Sequence, residues 1–102
     1  MAMNAEQRFE SLKPRRRKVA AVIDTDTFNE IDDQFALVYA LLSQESIDVV
    51  AVHACPFFNE KSDSPAHGME LSYQEIIRVL ELMGHTSEEF VYRGVTEYVG
   101  AA

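Results

Sequence analysis

The sequence predicts an α/β fold with a parallel sheet, and three observations carry that prediction. Short apolar stretches of strand length alternate with longer stretches of helical spacing. The first two strand-like stretches, residues 18–23 and 47–54, are separated by one helix-length segment and short connections. That is a βαβ unit, in which the strands run parallel with a right-handed crossover. A third strand-like run, Phe90-Val91-Tyr92-Arg93, follows a second helical segment and ends at Gly94.

Composition bounds the function. At 102 residues with 47% hydrophobic and 25% charged side chains, the chain suits one soluble globular unit with a modest core. Residues 1–17 read as a lead-in and 18–102 as the domain. A net charge of −8 disfavours a nucleic-acid backbone or an anionic membrane surface as the main partner. The basic run Arg15-Arg16-Arg17-Lys18 reads as a solvated approach to the first strand. Cys55 is the single cysteine, so an internal disulfide is impossible and a reducing, cytoplasmic setting is the expectation. No apolar stretch is long enough to span a bilayer, and the first 14 residues lack the apolar core of a secretory signal.

The elements follow in order. Residues 5–12 predict a short peripheral helix with Phe9 and Leu12 on one side, stopped by Pro14. Residues 18–23 are rich in Val and Ala, as expected of a strand covered on both faces. Residues 32–43 are apolar almost throughout, which predicts a helix packed on more than one side. Asp32 and Asp33 at its start favour the helix dipole and are candidate caps. The loop at residues 55–67 is long and polar, the kind that is functional or mobile in small domains. Met69, Tyr73, Ile76, Ile77, Leu80 and Met83 keep helical spacing from an opening at Gly68 to a stop at Gly84. Ser72 and Glu75 would form a capping box if that helix began later.

The chemistry concentrates where the first strand meets the first long helix. Asp24, Asp26, Asp32 and Asp33 crowd a single turn. Carboxylates held together repel one another, and a hard divalent cation relieves that cost. Calcium takes about six to eight oxygen ligands in loose geometry, while magnesium demands an octahedron with retained waters. A cation there would also acidify a water molecule for a carboxylate base. The same spacing equally suits Asp24 and Asp26 as turn formers with Asp32 and Asp33 as helix caps.

Asp24-Thr25-Asp26, followed by Asp32-Asp33 and Ala36, resembles the N-terminal signature of the nucleoside hydrolases, the inosine/uridine-preferring N-ribohydrolases. Those enzymes typically carry Asp-x-Asp-Pro-Gly-x-Asp-Asp after their first strand. Thr27-Phe28-Asn29-Glu30-Ile31 stands where the shorter Pro-Gly-x is usual, and is similar to a longer variant of that motif. Residues 47–59, IDVVAVHACPFFN, resemble the family's second strand and the loop that ends in a substrate-contacting Asn. The resemblance spans residues 18–94 and corresponds to the N-terminal third of a family member.

The resemblance implies a Rossmann-like nucleoside hydrolase fold, of which this chain supplies an N-terminal βαβαβ portion. It implies that Asp26 is both general base and calcium ligand, and that Asp33 is a second calcium ligand. Asp32 would bind the ribose hydroxyls, Asn59 would help hold the sugar, and Asp24 would support the site from beside the metal. The implied reaction, part of nucleoside salvage, is hydrolysis of a ribonucleoside to ribose and free base through an oxocarbenium-like transition state. A further calcium ligand, a His–Asp pair and much of the base pocket would come from later family segments, so this chain alone is expected to turn over negligibly. An uncovered sheet edge, left where later strands would add, predicts a homo-oligomer or a poorly soluble chain.

Two other readings stand beside this one. Ile23-Asp24-Thr25-Asp26-Thr27 also resembles the first motif of haloacid-dehalogenase-type magnesium phosphatases, with Asp24 as nucleophile and Asp26 as acid/base. That scheme leaves Asp32, Asp33 and Asn59 without a role. A module that binds a metal or a ribosyl compound without turnover is the third reading. The remaining candidates read as structural: His53 as a core or edge histidine, His85 as a turn residue, Cys55 as a small buried side chain, and Phe57 and Phe58 as loop anchors. His67 is the more open of the histidines.

Overall fold

Helices and strands alternate in the order α1 (Ala5–Ser11), β1 (Val19–Thr25), α2 (Ile31–Leu42), β2 (Ile47–Ala54), α3 (Pro65–Leu82) and β3 (Val91–Arg93). The computed structural model describes residues 2–14, 17–87 and 89–100. Arg15 and Arg16, half of the basic run, lie outside the described residues.

The sheet is parallel with strand order β1-β2-β3. Two successive right-handed crossovers that step the same way put their helices on the same face of a sheet. Here α2 and α3 do share one face. Leu37 and Leu41 of α2 join Met69, Ile76, Val79 and Leu80 of α3 in one buried cluster over Val52, Ala54 and Val91. A polar link ties the helices together, because Gln34 Nε2 donates to Glu75 Oε1 at 2.6 Å.

This layout corrects the expectation that β1 is covered on both faces. Along β1 the residues alternate between partly covered and exposed until buried Thr25. A Val/Ala run does not reveal which faces are covered; the strand order does. Val22, Val50 and Tyr92 stay about half-exposed, and a register shift between Ala21 and Val22 bulges β2 opposite them. The expectation that α2 packs on more than one side is corrected in the same way. Only Leu37 and Leu41 of that helix are buried.

The helix starts also differ in detail. α3 opens at Pro65, not Gly68. Ser64 is its N-cap, accepting from the His67 N–H at 3.1 Å, and proline occupies the first turn, where its missing N–H costs nothing. Ser72 and Glu75 therefore sit inside α3 and form no capping box. Glu30 is the N-cap residue of α2 with no side-chain cap bond, and Asp33 is engaged elsewhere. α1 is closed by an Asn4–Gln7 capping box and buries none of its residues. The third strand is one residue shorter than expected, starting at Val91.

Gly68 sets how the 55–64 loop lies on α3. A Cβ there would overlap the Phe57 carbonyl oxygen and stand 2.9 Å from the Phe57 backbone carbon and nitrogen. The loop backbone thus rests directly on the helix. Buried Ser62 reinforces it by donating to the Phe57 carbonyl at 3.0 Å.

Candidate functional site at the carboxyl ends of the strands

The acidic turn lies at the carboxyl end of β1, beside the loop that leaves β2, where open parallel sheets commonly bind ligands. Backbone pairing continues past the strands, since the Cys55 N–H donates to the Thr25 carbonyl at 2.8 Å. The two segments are therefore fixed against each other before any side chain is considered.

Thr25 and Thr27 form the floor, at 6% and 0% exposure. Buried hydroxyls need partners. Thr25 donates to Asp33 Oδ2 at 2.5 Å, and its oxygen stands 2.8 Å from the Thr27 hydroxyl. One hydroxyl has one proton, so Thr27 is the donor of that second bond. The chain from Thr27 through Thr25 holds the Asp33 carboxylate over the end of β1.

Asp26 sits beside Asp33. Its carboxyl is pushed above the usual range, first by partial burial and further by a hydrogen bond and repulsion from Asp33. The Asn29 side chain opposes this by donating to Asp26 Oδ2 at 3.0 Å. Asn29 also accepts from Asn59 Nδ2 at 2.6 Å. One asparagine thereby bridges Asp26 to a residue 30 positions away on the second loop. Lys61 of that loop donates to the Asn29 backbone carbonyl, and the Asn59 side-chain Oδ1 accepts from the Lys61 backbone N–H at 2.8 Å.

Of the sequence candidates, Asp26, Asp33 and Asn59 thus lie in one hydrogen-bonded neighbourhood. Asp32 occupies the exposed first turn of α2. Asp24 belongs to the open sheet face, its Oδ1 3.3 Å from His53 Nδ1, and the His53 ring meets Tyr92 edge-on. Cys55 is half-buried, and burial together with the Asp24 charge raises its thiol pKa, the wrong direction for a nucleophile. Phe57 is buried and stacks at 6.4 Å on Phe28, whereas Phe58 is 60% exposed. His67 is used locally, accepting from the Asp63 N–H.

Asn29, Thr25, Thr27 and Lys61 were not singled out by the sequence. Asn29 carried a usable signal, since it stands in the turn between Asp26 and Asp32, and asparagine is a turn former whose side chain both donates and accepts. Lys61 follows Asn59 by two positions, and nothing in the sequence ties it to the first loop.

The donor set is hard oxygen, the chemistry that calcium or magnesium prefers. Among the described residues no group of three or more His, Cys, Asp or Glu side chains converges on one point. A cation at this turn would draw on Asp26 and Asp33, each with one carboxylate oxygen already accepting a hydrogen bond, and would need further oxygens to fill its shell. A separate cleft of about 500 Å³, lined by Lys18, Leu41, Gln44, Asp48, His85 and Phe90 among others, includes none of the acidic-turn residues. Compared with known protein families, curated proteins and solved structures, the chain matches none of them. Geometry and residue chemistry carry the functional argument.

Proposed function

We propose that this chain supplies the base-and-sugar half of a nucleoside hydrolase site, in a Rossmann-like parallel fold, hydrolysing the N-glycosidic bond of ribonucleosides. The observation that supports the reading best is the Asn29 bridge. It holds Asp26, the proposed base, and Asn59, the proposed sugar contact, in register although they arise from different loops.

In this reading Asp26 takes a proton from a water molecule as its oxygen adds to the anomeric carbon. The C–N bond breaks, and its electron pair leaves with the nucleobase. Asp33, fixed by Thr25, adds negative charge beside the developing oxocarbenium. Asp32 and Asn59 bind ribose hydroxyls, and Asp24 is a supporting charge at the rim. Calcium held by Asp26 and Asp33 would supply the positive charge that lowers the pKa of a water.

The test follows amide NMR shifts during titration with calcium and then ribose, alongside ribose release from inosine and uridine. Shifts at Asp26, Asn29, Asp33 and Asn59 are expected, with negligible ribose release by the 102-residue chain. Unmoved resonances at those four residues would overturn the assignment. Phosphate release from p-nitrophenyl phosphate with magnesium would replace it with the phosphatase reading.

A further inference from the structure

α2 carries a second apolar face that covers nothing. Ile31, Phe35, Tyr39 and Leu42 are 70, 68, 75 and 71% exposed, on the side of the helix away from buried Leu37 and Leu41. At about 100° per residue the four fall within an arc of roughly 80°, a continuous stripe. Isolated exposed apolar residues are ordinary; a contiguous aromatic stripe marks a contact surface.

We infer that this stripe is a homodimer interface, in which α2 of one copy packs antiparallel against α2 of a second copy. Two observations select that occupant, and a third sets how its association responds to salt. The first is order. An isologous twofold contact requires a patch complementary to itself. Ile31 and Leu42 lie at nearly equal distances either side of the helix midpoint, with Phe35 and Tyr39 inside them. Turned end for end, Ile31 meets the partner's Leu42 and Phe35 meets the partner's Tyr39.

The second is area. Four such side chains of roughly 200 Å² each, about seven-tenths exposed, offer about 550 Å² per copy. Two copies together can bury at most about 1,100 Å², close to the roughly 1,000 Å² that a specific interface needs. The open sheet face offers less, because Asp24 and Asp48 interrupt Val22 and Val50.

The third is charge. No lysine or arginine lies between Lys18 and Lys61, whereas Asp32 borders the stripe and Glu45 follows the helix. This surroundings offers no attraction to an acidic partner, and two copies meeting here repel one another weakly. Salt screens that repulsion, so the dimer tightens as salt rises. Association of the basic N-terminal segment, which holds six of the nine Lys and Arg residues, with the acidic remainder of another copy would weaken instead.

The experiment is sedimentation equilibrium of the 102-residue chain between about 5 and 200 μM, at low and high salt. A monomer–dimer equilibrium that tightens with salt is expected. Phe35→Glu should weaken it at least about 30-fold, as loss of a buried aromatic anchor does. Val22→Glu, on the open sheet face, should leave it unchanged. Phe35 is exposed in one copy, so its substitution leaves the core intact, and circular dichroism verifies the fold of both variants. A chain that stays monomeric at 200 μM in high salt overturns the inference. So does association that weakens with salt, survives Phe35→Glu, or is lost in Val22→Glu.

Discussion

Gly68→Ala sets two physical effects against each other at the contact that positions the Asn59 loop. Helix propensity alone favours alanine inside α3 by about 1 kcal/mol. Packing opposes it, because the added methyl would enter the Phe57 carbonyl oxygen and lie 2.9 Å from two further Phe57 backbone atoms. Overpacking of this kind costs about 3 kcal/mol at the upper end of the usual range, since backbone yields less than a side chain tip. Relief requires the loop to lift, which loosens buried Phe57 and the Ser62 bond to its carbonyl. Packing wins, and the net destabilisation is about 2 kcal/mol. For a domain this size that lowers Tm by about 10 °C. Urea unfolding followed by circular dichroism, assuming two-state behaviour, measures the difference directly. A Gly68→Ala variant as stable as the parent, or more so, would show that the loop does not rest on α3 and would detach Asn59 from the site.

Two further outcomes follow from α3. Ser64→Ala removes the N-cap bond to the His67 N–H and should cost about 1 kcal/mol in the same urea assay; no loss would mean that the helix starts elsewhere. Glu75 is held below its ordinary range chiefly by hydrogen bonds from Arg78, with Gln34 adding to the effect. A depressed carboxylate contributes stability above its unfolded pKa, near 4.5, and that contribution is lost as pH falls through the lower folded value. Stability of the parent should therefore fall more steeply below pH 4.5 than that of Glu75→Gln, and parallel pH curves would contradict the assignment.

The alternation of strands and helices was legible because period and length distinguish them here. Met69 to Met83 keep helical spacing, and Ile76, Val79 and Leu80 do form the core. The start of α3 was readable too, since Ser64-Pro65 is a cap followed by a first-turn proline, yet Gly68 is also a plausible boundary. Its real role, a close approach to another segment, depends on a tertiary contact that local sequence does not encode. The exposed second face of α2 escaped for a related reason: an apolar helix reads as doubly packed whether or not a second layer is present. At the site, clustered carboxylates drew attention to Asp26 and Asp33. The hydroxyl floor of Thr25 and Thr27 went unnoticed because threonine in a strand is ordinary. The tie between Asn29 and Asn59 spans 30 residues, beyond any periodic signal.

Calcium calorimetry on metal-stripped protein asks whether Asp26 and Asp33 together hold a cation, as the proposed function requires. One saturable site is expected in the parent chain, abolished or strongly weakened in Asp26→Asn and in Asp33→Asn. Asp24→Asn, whose parent carboxylate faces His53 on the open sheet, is expected to retain it. Absence of calcium binding in the parent, or binding indifferent to both Asp26 and Asp33, would contradict the proposed function.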